Sequence, residues 1–503
     1  MKKNVLEWLE DTAKRLPDKK AFSTGTASLT FKELMEYSRR VGSALIKRML
    51  PSDPVAVFMG RDADTVAAFL GVVYSGRVYA PIDAALPEER IRTILGILKP
   101  SAIVTDDEHS SRLLSLKDDD TPLFNIKELR EDTEDSLALG EVRKKMVETD
   151  PLYVIFTSGS SGIPKGVITS HHALMTYISA YTEVMGIDGG DTLGGQSPLD
   201  YIAAIRDIYV PLLTGARTYL LPKEYFMQPE KLFGCMNEEK ITAVGWSASS
   251  LSLLCSLNAF QGQRPEFLRK ICFSGSVLSG KALSCWQENL PEALFVNQYG
   301  PTEATASCTY YKLDHVVSED EKIPIGRPYD NYRIILIKED NSEAGKGEMG
   351  EICVGGPALA LGYYGDIERT RSAFVQNPLE RRFDDRIYRT GDLGRMNEEG
   401  LLEFHGRSDR QIKHIGHRVE LDEIETAALK SEHIKECASL YNEEKEVIWL
   451  FYAGDIEKGA LALALRKTLP GFMVPRKLKQ LEELPRLPNG KVDFNSLKPY
   501  MGL

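Results

Sequence analysis

The stretch YVIFTSGSSGIPKGVITSHH, residues 153–172, joins an apolar run to a short segment rich in glycine and hydroxyl side chains. The apolar residues 152–156 predict a buried strand. Gly159 and Gly162 then break any regular helix or strand. Consecutive backbone N–H groups in such a turn form a concave site for an anion, and the Ser and Thr hydroxyls add further donors. The segment therefore predicts a phosphate-binding loop, and an ordinary polar loop is the alternative.

The spacing of Gly, Ser and Lys residues in this loop disfavours two classes of enzyme. Lys165 is followed by Gly166, not by Ser or Thr, which disfavours a Walker-type nucleotide triphosphatase. Neither GSSG in this loop nor GSVLSG at residues 275–280 is a G-x-S-x-G elbow, so serine hydrolase chemistry gains little support.

Around this loop, short β-rich runs alternate with helical runs from about residue 53 to residue 300. This alternation predicts an α/β fold with parallel sheets covered by helices, in which ligands bind beyond the carboxyl ends of the strands. Between residues 322 and 406 glycines recur between short β runs, which predicts a turn-rich β subdomain. Mixed helical and β patterns follow, and we place a domain boundary near Asp409.

Composition excludes several classes of protein. The chain has 503 residues, 27% charged residues and a formal charge of −11, so we expect more than one domain and neither a nucleic-acid nor a membrane partner. Its seven cysteines are dispersed, without a C-x-x-C pair, and are expected to be reduced thiols of a cytoplasmic protein. The N-terminal segment predicts an amphipathic helix that ends near Pro17, not an export signal.

Three further stretches carry polar groups suited to a nucleotide. In NQYGPTEA, residues 297–304, Tyr299 offers an aromatic face, Thr302 a hydroxyl and Glu303 a carboxylate able to hold Mg²⁺ beside phosphate oxygens. In YRTGDLGR, residues 388–395, Asp392 follows a glycine turn and could bind a sugar diol. In LPRLPNGKVDF, residues 484–494, an Asn-Gly hairpin signal precedes Lys491. Each stretch alone is a weak signal, because such turns are common on surfaces.

Taken in order, these stretches resemble the adenylate-forming superfamily, and within it the adenylation domains of nonribosomal peptide synthetases and the stand-alone D-alanine carrier-protein ligases. The resemblance covers nearly the whole chain and rests on seven ordered motifs: YVIFTSGSSGIPKG, NQYGPTE, GEICVGGPALALGYY, YRTGDLG, GRSDRQIKHIGHRVELDEIE, LPGFMVP and LPNGKVD. It implies an N-terminal AMP-binding domain, residues 1–408, built from two helix-covered sheets and a β subdomain. A small mobile α+β domain, residues 409–503, would carry the catalytic lysine.

The resemblance also implies roles for individual residues. Lys491 would contact the substrate carboxylate and the α-phosphate, Thr302 would bind the α-phosphate, and Glu303 would hold Mg²⁺. The other residues assigned to ATP are Thr157, Ser158, Gly159, Ser160, Ser161, Gly162 and Lys165 for the β- and γ-phosphates, Asn297, Tyr299 and Gly300 for the adenine side, and Asp392 and Arg407 for the ribose.

The family performs two reactions in one pocket, acyl-adenylate formation and then transfer to a thiol. The resemblance implies that the C-terminal domain rotates between them about a hinge at Asp409, so that residues 411–416 replace Lys491. Since no carrier domain follows Leu503 and no condensation domain precedes Met1, we expect a phosphopantetheinylated carrier protein acting in trans. An acyl-coenzyme A synthetase is the alternative, and a catalytically silent nucleotide-binding module is a second one.

The acyl pocket departs from the family pattern. Ile202 stands where α-amino-acid enzymes carry the aspartate that pairs with the substrate ammonium, and Arg206 occupies a position that is usually apolar or small. A buried, unpaired guanidinium would be costly, so Arg206 points to solvent, pairs with a carboxylate such as Asp200, or meets a polar or anionic group of the substrate. The remaining aligned pocket positions are Ala203, Gly245, Ser274, Gln298, Ala306 and Ser307.

Three interpretations of this departure stay open. Asp200 could reach the ammonium of an ordinary amino acid. The substrate could instead lack an α-ammonium, as a hydroxy, keto, aryl or dicarboxylic acid does. The substitutions could also leave specificity unchanged.

Overall fold

A computed structural model describes residues 2–502 except residues 26, 49–53, 119, 160–161, 408, 444 and 487–491. The chain forms two compact units. The first comprises Met1–Ala84, Leu98–Ile155 and Gly166–Ser408, and the second comprises Ala85–Ile97, Phe156–Lys165 and Asp409–Leu503. The division into a fixed and a mobile domain stays a prediction.

The α-helices are numbered in chain order. They are α1 Val5–Arg15, α2 Phe31–Arg48, α3 Ala63–Tyr74, α4 Glu88–Leu98, α5 Ser110–Leu113, α6 Ile126–Glu131, α7 Ser136–Lys145, α8 His171–Met185, α9 Ala204–Thr214, α10 Pro229–Glu238, α11 Ala248–Ser256, α12 Gly280–Asn289, α13 Ile367–Ala373, α14 Leu421–Leu429, α15 Lys458–Thr468 and α16 Phe494–Leu497.

The strands are numbered in the same way. They are β1 Lys20–Thr24, β2 Ala27–Thr30, β3 Val55–Phe58, β4 Tyr79–Pro81, β5 Ala102–Thr105, β6 Leu123–Asn125, β7 Pro151–Thr157, β8 Lys165–Ser170, β9 Thr192–Gly195, β10 Arg217–Leu220, β11 Ala243–Ser247, β12 Lys270–Ser274, β13 Leu294–Tyr299, β14 Thr309–Leu313, β15 Arg327–Pro328, β16 Arg333–Ile337, β17 Gly350–Gly355, β18 Gly362–Tyr363, β19 Phe374–Gln376, β20 Arg386–Met396, β21 Leu402–Arg407, β22 Gln411–His414, β23 His417–Glu420, β24 Ile434–Asn442, β25 Val447–Gly454 and β26 Lys477–Gln480.

Two large mixed sheets dominate the first unit. The nine-stranded sheet has the order β15-β14-β13-β12-β11-β9-β10-β1-β2 and is parallel from β13 to β1. The seven-stranded sheet has the order β18-β8-β7-β4-β3-β5-β6, and its strands β4, β3, β5 and β6 pair in parallel. Parallel pairing requires crossover connections, which the alternating helices supply. This architecture confirms the predicted α/β class.

Helices α8 and α9 pack in the main core of this unit and position the candidate acyl pocket. Ser170 caps α8 by accepting a hydrogen bond from Ala173 N at 3.1 Å, and Gly186 ends it with a φ of 61°. Along α9, every residue from Ala204 to Leu212 is buried, including two charged residues, Arg206 and Asp207. Charged side chains are almost never fully buried unless they are paired, so these two residues make α9 a candidate for a functional site.

A second core lies on the other side of the nine-stranded sheet. Trp246 and Trp286 meet edge to face there, with ring centroids 6.3 Å apart. Each indole N–H has a backbone acceptor: Trp246 donates to Gly194 O and Trp286 to Leu251 O. Burial of these large rings stabilises the core, and the hydrogen bonds to the indole N–H groups avoid the cost of burying an unpaired donor.

The predicted β subdomain is an antiparallel sheet of the order β16-β17-β20-β19, with β21 paired to β20. In the second unit, β22 and β23 form a two-stranded sheet, and β24, β25 and β26 form a three-stranded sheet that packs with α14 and α15 around its own core. All seven cysteines are free thiols. None of the described helices combines the length and apolar character needed to cross a lipid bilayer.

Candidate active site

The glycine-rich loop follows β7, as the apolar run predicts, and β7 extends one residue further at each end than residues 152–156. Gly162 has a φ of +76°, a conformation that favours glycine, and its N–H donates to Gly159 O at 2.9 Å. The Thr157 hydroxyl is buried and has no hydrogen-bond partner among the described residues. An unpaired buried hydroxyl of this kind suits a phosphate oxygen. Ser160 and Ser161 lie outside the described residues.

Within the second unit this loop packs against residues 418–426. Ser158 Oγ donates to Arg418 O at 2.6 Å, and a Cβ added at Gly162 would lie 3.0 Å from Thr426 Cγ2. Glu423, on α14, is buried and paired with Arg90. Burial raises the pKa of Glu423, while the charge of Arg90 and the hydrogen bond from it favour the ionised form. The loop is therefore in contact with the strand that leads into α14 and lies close to α14 itself.

Residues 300–308 form a tight turn between β13 and β14. A Cβ at Gly300 would lie 2.5 Å from Ser307 Cα, so only glycine fits there. Thr305 and Ala306 follow with φ values of 52° and 71°, in the left-handed region that non-glycine residues rarely adopt. Such strain persists only where the surroundings enforce it and is frequent at functional sites.

Three residues assigned to the nucleoside meet in one cluster. Asp392 on β20 pairs directly with Arg407 on β21, next to a register shift between Asp392 and Gly394. Its carboxylate accepts hydrogen bonds from Arg407 and from the Tyr299 hydroxyl. Arg407 also donates to Thr390 O at 3.0 Å. Burial, and then the Asp392 carboxylate, raise the pKa of Tyr299, so its hydroxyl remains a donor. Asn297 has no described hydrogen bond to this cluster, and its side-chain amide donates to Pro324 O at 2.9 Å.

Glu303, the predicted magnesium ligand, is fully buried, and Thr302 beside it is also buried. The Tyr363 hydroxyl donates to Glu303 Oε1 at 2.7 Å, and Ala360 N donates to Glu303 O at 2.9 Å. No group of three or more His, Cys, Asp or Glu side chains suited to a metal occurs in the described part of the chain. A single carboxylate nevertheless fits Mg²⁺, which is held in phosphate-binding enzymes by one or two carboxylates, water and the phosphates themselves.

The predicted acyl-pocket residues converge on one face of the nine-stranded sheet. The register pairs Gly245 with Cys272 and Ser247 with Ser274, so these four residues project to the same side. Gln298, next to the Phe273–Asn297 pair, projects to that side as well. Gly245, Ser247 and Ser274 are partly exposed. The carboxyl ends of β11, β12 and β13 are where ligands bind in sheets of this class.

Arg206 reaches this face from α9 and is only 2% exposed. Its Nε donates to the Tyr177 hydroxyl at 2.8 Å, and its terminal nitrogens donate to Ser274 Oγ at 3.3 Å and Ser307 Oγ at 3.2 Å. Cys272 Sγ lies 3.5 Å from Nη1, and the guanidinium stands 5.5 Å from the centre of the Tyr181 ring. The predicted residues Arg206, Gly245, Ser274 and Ser307 are therefore neighbours.

The charge of Arg206 has no contacting counter-ion among the described residues. Burial raises the pKa of the Tyr177 phenol, the Tyr181 phenol and the Cys272 thiol, so its neighbours are neutral at physiological pH. Arg206 thus neither points to solvent nor pairs with Asp200. Asp207 is buried as well, but its carboxylate lies beside Gly195, near Arg61.

Asp200 occupies a different part of the site. Its Oδ2 accepts a hydrogen bond from Asp83 N at 3.3 Å. Burial and the nearby Asp83 carboxylate raise the pKa of Asp200 to about 7. Ile202 is buried, and Ala203 precedes the first turn of α9.

The remaining predicted residues belong to neither cluster. Lys165 is buried at the start of β8. Asp409 Oδ1 accepts a hydrogen bond from Gln411 N at 3.1 Å. Lys491 lies outside the described residues.

The structure places several side chains at the site that the sequence analysis did not assign to it. Tyr363 lies within the motif GEICVGGPALALGYY, so a signal for it existed. Tyr177 and Tyr181 are four residues apart and share a helix face, a pattern that any buried helix can show. Cys272 and Asp207 carry no pattern that distinguishes them from core residues.

Comparison with known proteins identifies the family. The model of the family described as AMP-binding enzyme matches residues 9–364. The D-alanine--D-alanyl carrier protein ligase of Lactiplantibacillus plantarum (strain ATCC BAA-793 / NCIMB 8826 / WCFS1) is 30% identical over 520 residues, covering 99% of each chain. Tyrocidine synthase 1 of Brevibacillus parabrevis is 29% identical over 98% of this chain, which spans 45% of that synthase.

A solved structure shares the fold. The adenylation domain AlmE of Vibrio cholerae, in complex with glycyl-adenosine-5'-phosphate, superimposes with a TM-score of 0.85 at 23% identity, over 100% of this chain and 98% of that one. The family match and the carrier protein ligase of 30% identity confirm the predicted membership, and the structural likeness shows the shared fold. The chain belongs to the AMP-binding enzyme family and is an AMP-forming ligase.

Proposed function

We propose that this chain is a stand-alone adenylation enzyme that activates a carboxylic acid with ATP and transfers the acyl group to the phosphopantetheine thiol of a separate carrier protein. The observation that carries this proposal is the match, end to end on both chains, to a carrier protein ligase. The free thiols agree with a reducing compartment, and we propose the cytoplasm.

In the first reaction a carboxylate oxygen attacks the α-phosphorus of ATP, the bond from that phosphorus to the bridging oxygen breaks, and pyrophosphate leaves. Anions approach each other, so the site must supply donors and positive charge. The loop residues Thr157 and Gly159 would hold the β- and γ-phosphates, and Thr302 the α-phosphate. Lys491 would bind both reacting anions.

The adenosine would bind against Tyr299, with the ribose hydroxyls at the cluster of Asp392 and Arg407. This role is supported by the hydrogen bonds that join these three side chains in one buried cluster. Glu303 and substrate phosphates would hold Mg²⁺, which would neutralise phosphate charge when bound. Tyr363 keeps the Glu303 carboxylate oriented.

In the second reaction the thiol sulfur attacks the acyl carbonyl carbon, the bond to the phosphate oxygen breaks, and AMP leaves. A rotation about Asp409 would bring residues 411–416 to the site in place of Lys491, because the two reactions need different groups there. Transfer to coenzyme A is the alternative second reaction.

The experiment is acid-dependent exchange of labelled pyrophosphate into ATP over a broad panel of carboxylic acids. We expect exchange with at least one acid, and a loss of at least about 100-fold in the Lys491→Ala variant. Lys498→Ala removes an exposed neighbouring lysine and serves as the matched control. Unchanged exchange in Lys491→Ala would refute the assigned role, and no exchange with any acid would revive the silent-module alternative.

A further inference from the structure

The group around Arg206 is rich in donors and poor in acceptors. Near the hydrogen-bonded guanidinium, the Gln298 side-chain nitrogen and the Tyr329 hydroxyl are buried without a hydrogen-bond partner among the described residues. Gln298 Oε1 lies 3.5 Å from Ser307 Oγ, which itself contacts Arg206. Buried donors normally have acceptors, so this cluster is incomplete as it stands.

The guanidinium has the charge that such an acceptor would neutralise. It remains protonated in proteins, and its described hydrogen-bond partners are hydroxyls and a thiol. A buried cation without an anionic partner is unfavourable, since its desolvation is not offset by Coulombic attraction. The adjacent acid, Asp207, is attracted by both Arg61 and Arg206, but its carboxylate lies beside Gly195 and makes no described hydrogen bond or ion pair with Arg206.

Two residues that border the buried guanidinium, Gly245 and Ser274, are themselves partly exposed. Gly245 is partly exposed, and a Cβ added there would lie 3.4 Å from Arg206 Nη1. Because residue 245 has no side chain, only its backbone limits the space beside the guanidinium at that position, and Ser274, which accepts a hydrogen bond from Arg206, is partly exposed as well. A planar carboxylate matches the guanidinium in shape and can accept several donors at once.

We propose that the acid activated by this enzyme carries a second carboxylate, which Arg206 binds at the base of the acyl pocket with help from Ser274, Ser307 and Gln298. This inference rests on the proposed adenylation activity and names the substrate class of that site. Arg206 is then the residue that selects dicarboxylic over monocarboxylic acids.

The test is pyrophosphate exchange with matched pairs of acids that differ in the distal group. Suitable pairs are succinate and butyrate, glutarate and pentanoate, adipate and hexanoate, and glutamate and norvaline in both stereochemical forms. We expect kcat/KM for the preferred dicarboxylic acid to exceed that of its partner by at least about 30-fold, the effect of a buried charge pair. Arg206→Met should abolish this preference, and Arg206→Lys should retain part of it.

Two further variants distinguish a specific loss of the dicarboxylate preference from a general loss of folded structure. Gly245→Ala keeps Arg206 but places a methyl group against the guanidinium, so it should reduce the dicarboxylate preference while the protein stays folded. Arg217, on β10, forms an ion pair with Glu239, and Arg217→Met should leave the dicarboxylate preference unchanged. Thermal unfolding of each variant reports folding independently of activity.

The outcomes separate the two proposals. Exchange only with monocarboxylic acids, or a preference that survives Arg206→Met, overturns the inference about the second carboxylate and leaves the proposed function standing. Exchange with no acid at all overturns the proposed function itself. A dicarboxylate preference lost in Arg206→Met and kept in Arg217→Met supports both.

Discussion

Replacing Asp207 by Asn should change how stability depends on pH, because the buried carboxyl group holds its proton more tightly when folded. Burial raises the pKa of Asp207 from 3.8 to about 7, although Arg61 and Arg206 favour the charged form. Between these two values the folded protein binds more protons than the unfolded chain does. The stability contributed by Asp207 therefore falls as the pH rises towards 7 and is constant above it.

The magnitude follows from the difference in pKa. One pH unit corresponds to about 1.4 kcal/mol, so between about pH 5.5 and about pH 8.5 the wild type should lose about 2 kcal/mol relative to Asp207→Asn, which does not titrate there. Hydrogen exchange of a peptide covering α9, Ala204–Thr214, measures the local opening free energy at both pH values. A difference between wild type and variant that is independent of pH, or one that grows in favour of the wild type, would refute this reasoning.

Three other substitutions or treatments test the geometry of the site. Gly300→Ala forces a Cβ to within 2.5 Å of Ser307 Cα, so thermal unfolding should show destabilisation of about 3 kcal/mol or more, and an unchanged melting temperature would contradict the tight turn. Tyr363→Phe removes a hydrogen bond of 2.7 Å to the buried Glu303 carboxylate, which should lower the free energy of unfolding by about 1.5–3 kcal/mol. The variant should also need a higher Mg²⁺ concentration for half-maximal exchange. An unaltered magnesium dependence would show that Tyr363 does not orient that carboxylate. Chelation by EDTA should abolish pyrophosphate exchange and added Mg²⁺ should restore it, whereas exchange that persists in EDTA would exclude the proposed metal role of Glu303.

The fold was largely predictable because its signals are local. The apolar run before the glycine-rich loop predicted β7 within one residue at each end, since a buried strand is bounded sharply by glycine and polar turns. The recurrent glycines predicted the antiparallel β subdomain in the same way. The family motifs then brought together residues that are distant in sequence, such as Tyr299, Asp392 and Arg407.

The surroundings of Arg206 could not be predicted in this manner. Sequence placed the arginine in the pocket but left three orientations open, because its exposure depends on how α9 packs against α8 and the sheet. Its contact with Tyr177 joins residues that are 29 positions apart on two helices, and its contact with Ser307 joins residues that are 101 positions apart. Contacts set by tertiary packing leave no local pattern, and the left-handed conformation of Ala306 likewise has no sequence signature.

The most direct test of the proposed function is a competition between two thiol acceptors. The enzyme, ATP, Mg²⁺ and the acid identified by pyrophosphate exchange are incubated with equal concentrations of a phosphopantetheinylated carrier protein, drawn from a panel encoded near this gene, and coenzyme A. Intact-mass spectrometry of the carrier and chromatography of coenzyme A thioesters then report both products. We predict an acylated carrier protein and little acyl-coenzyme A; acyl-coenzyme A as the dominant product, with every carrier left unloaded, would contradict the account.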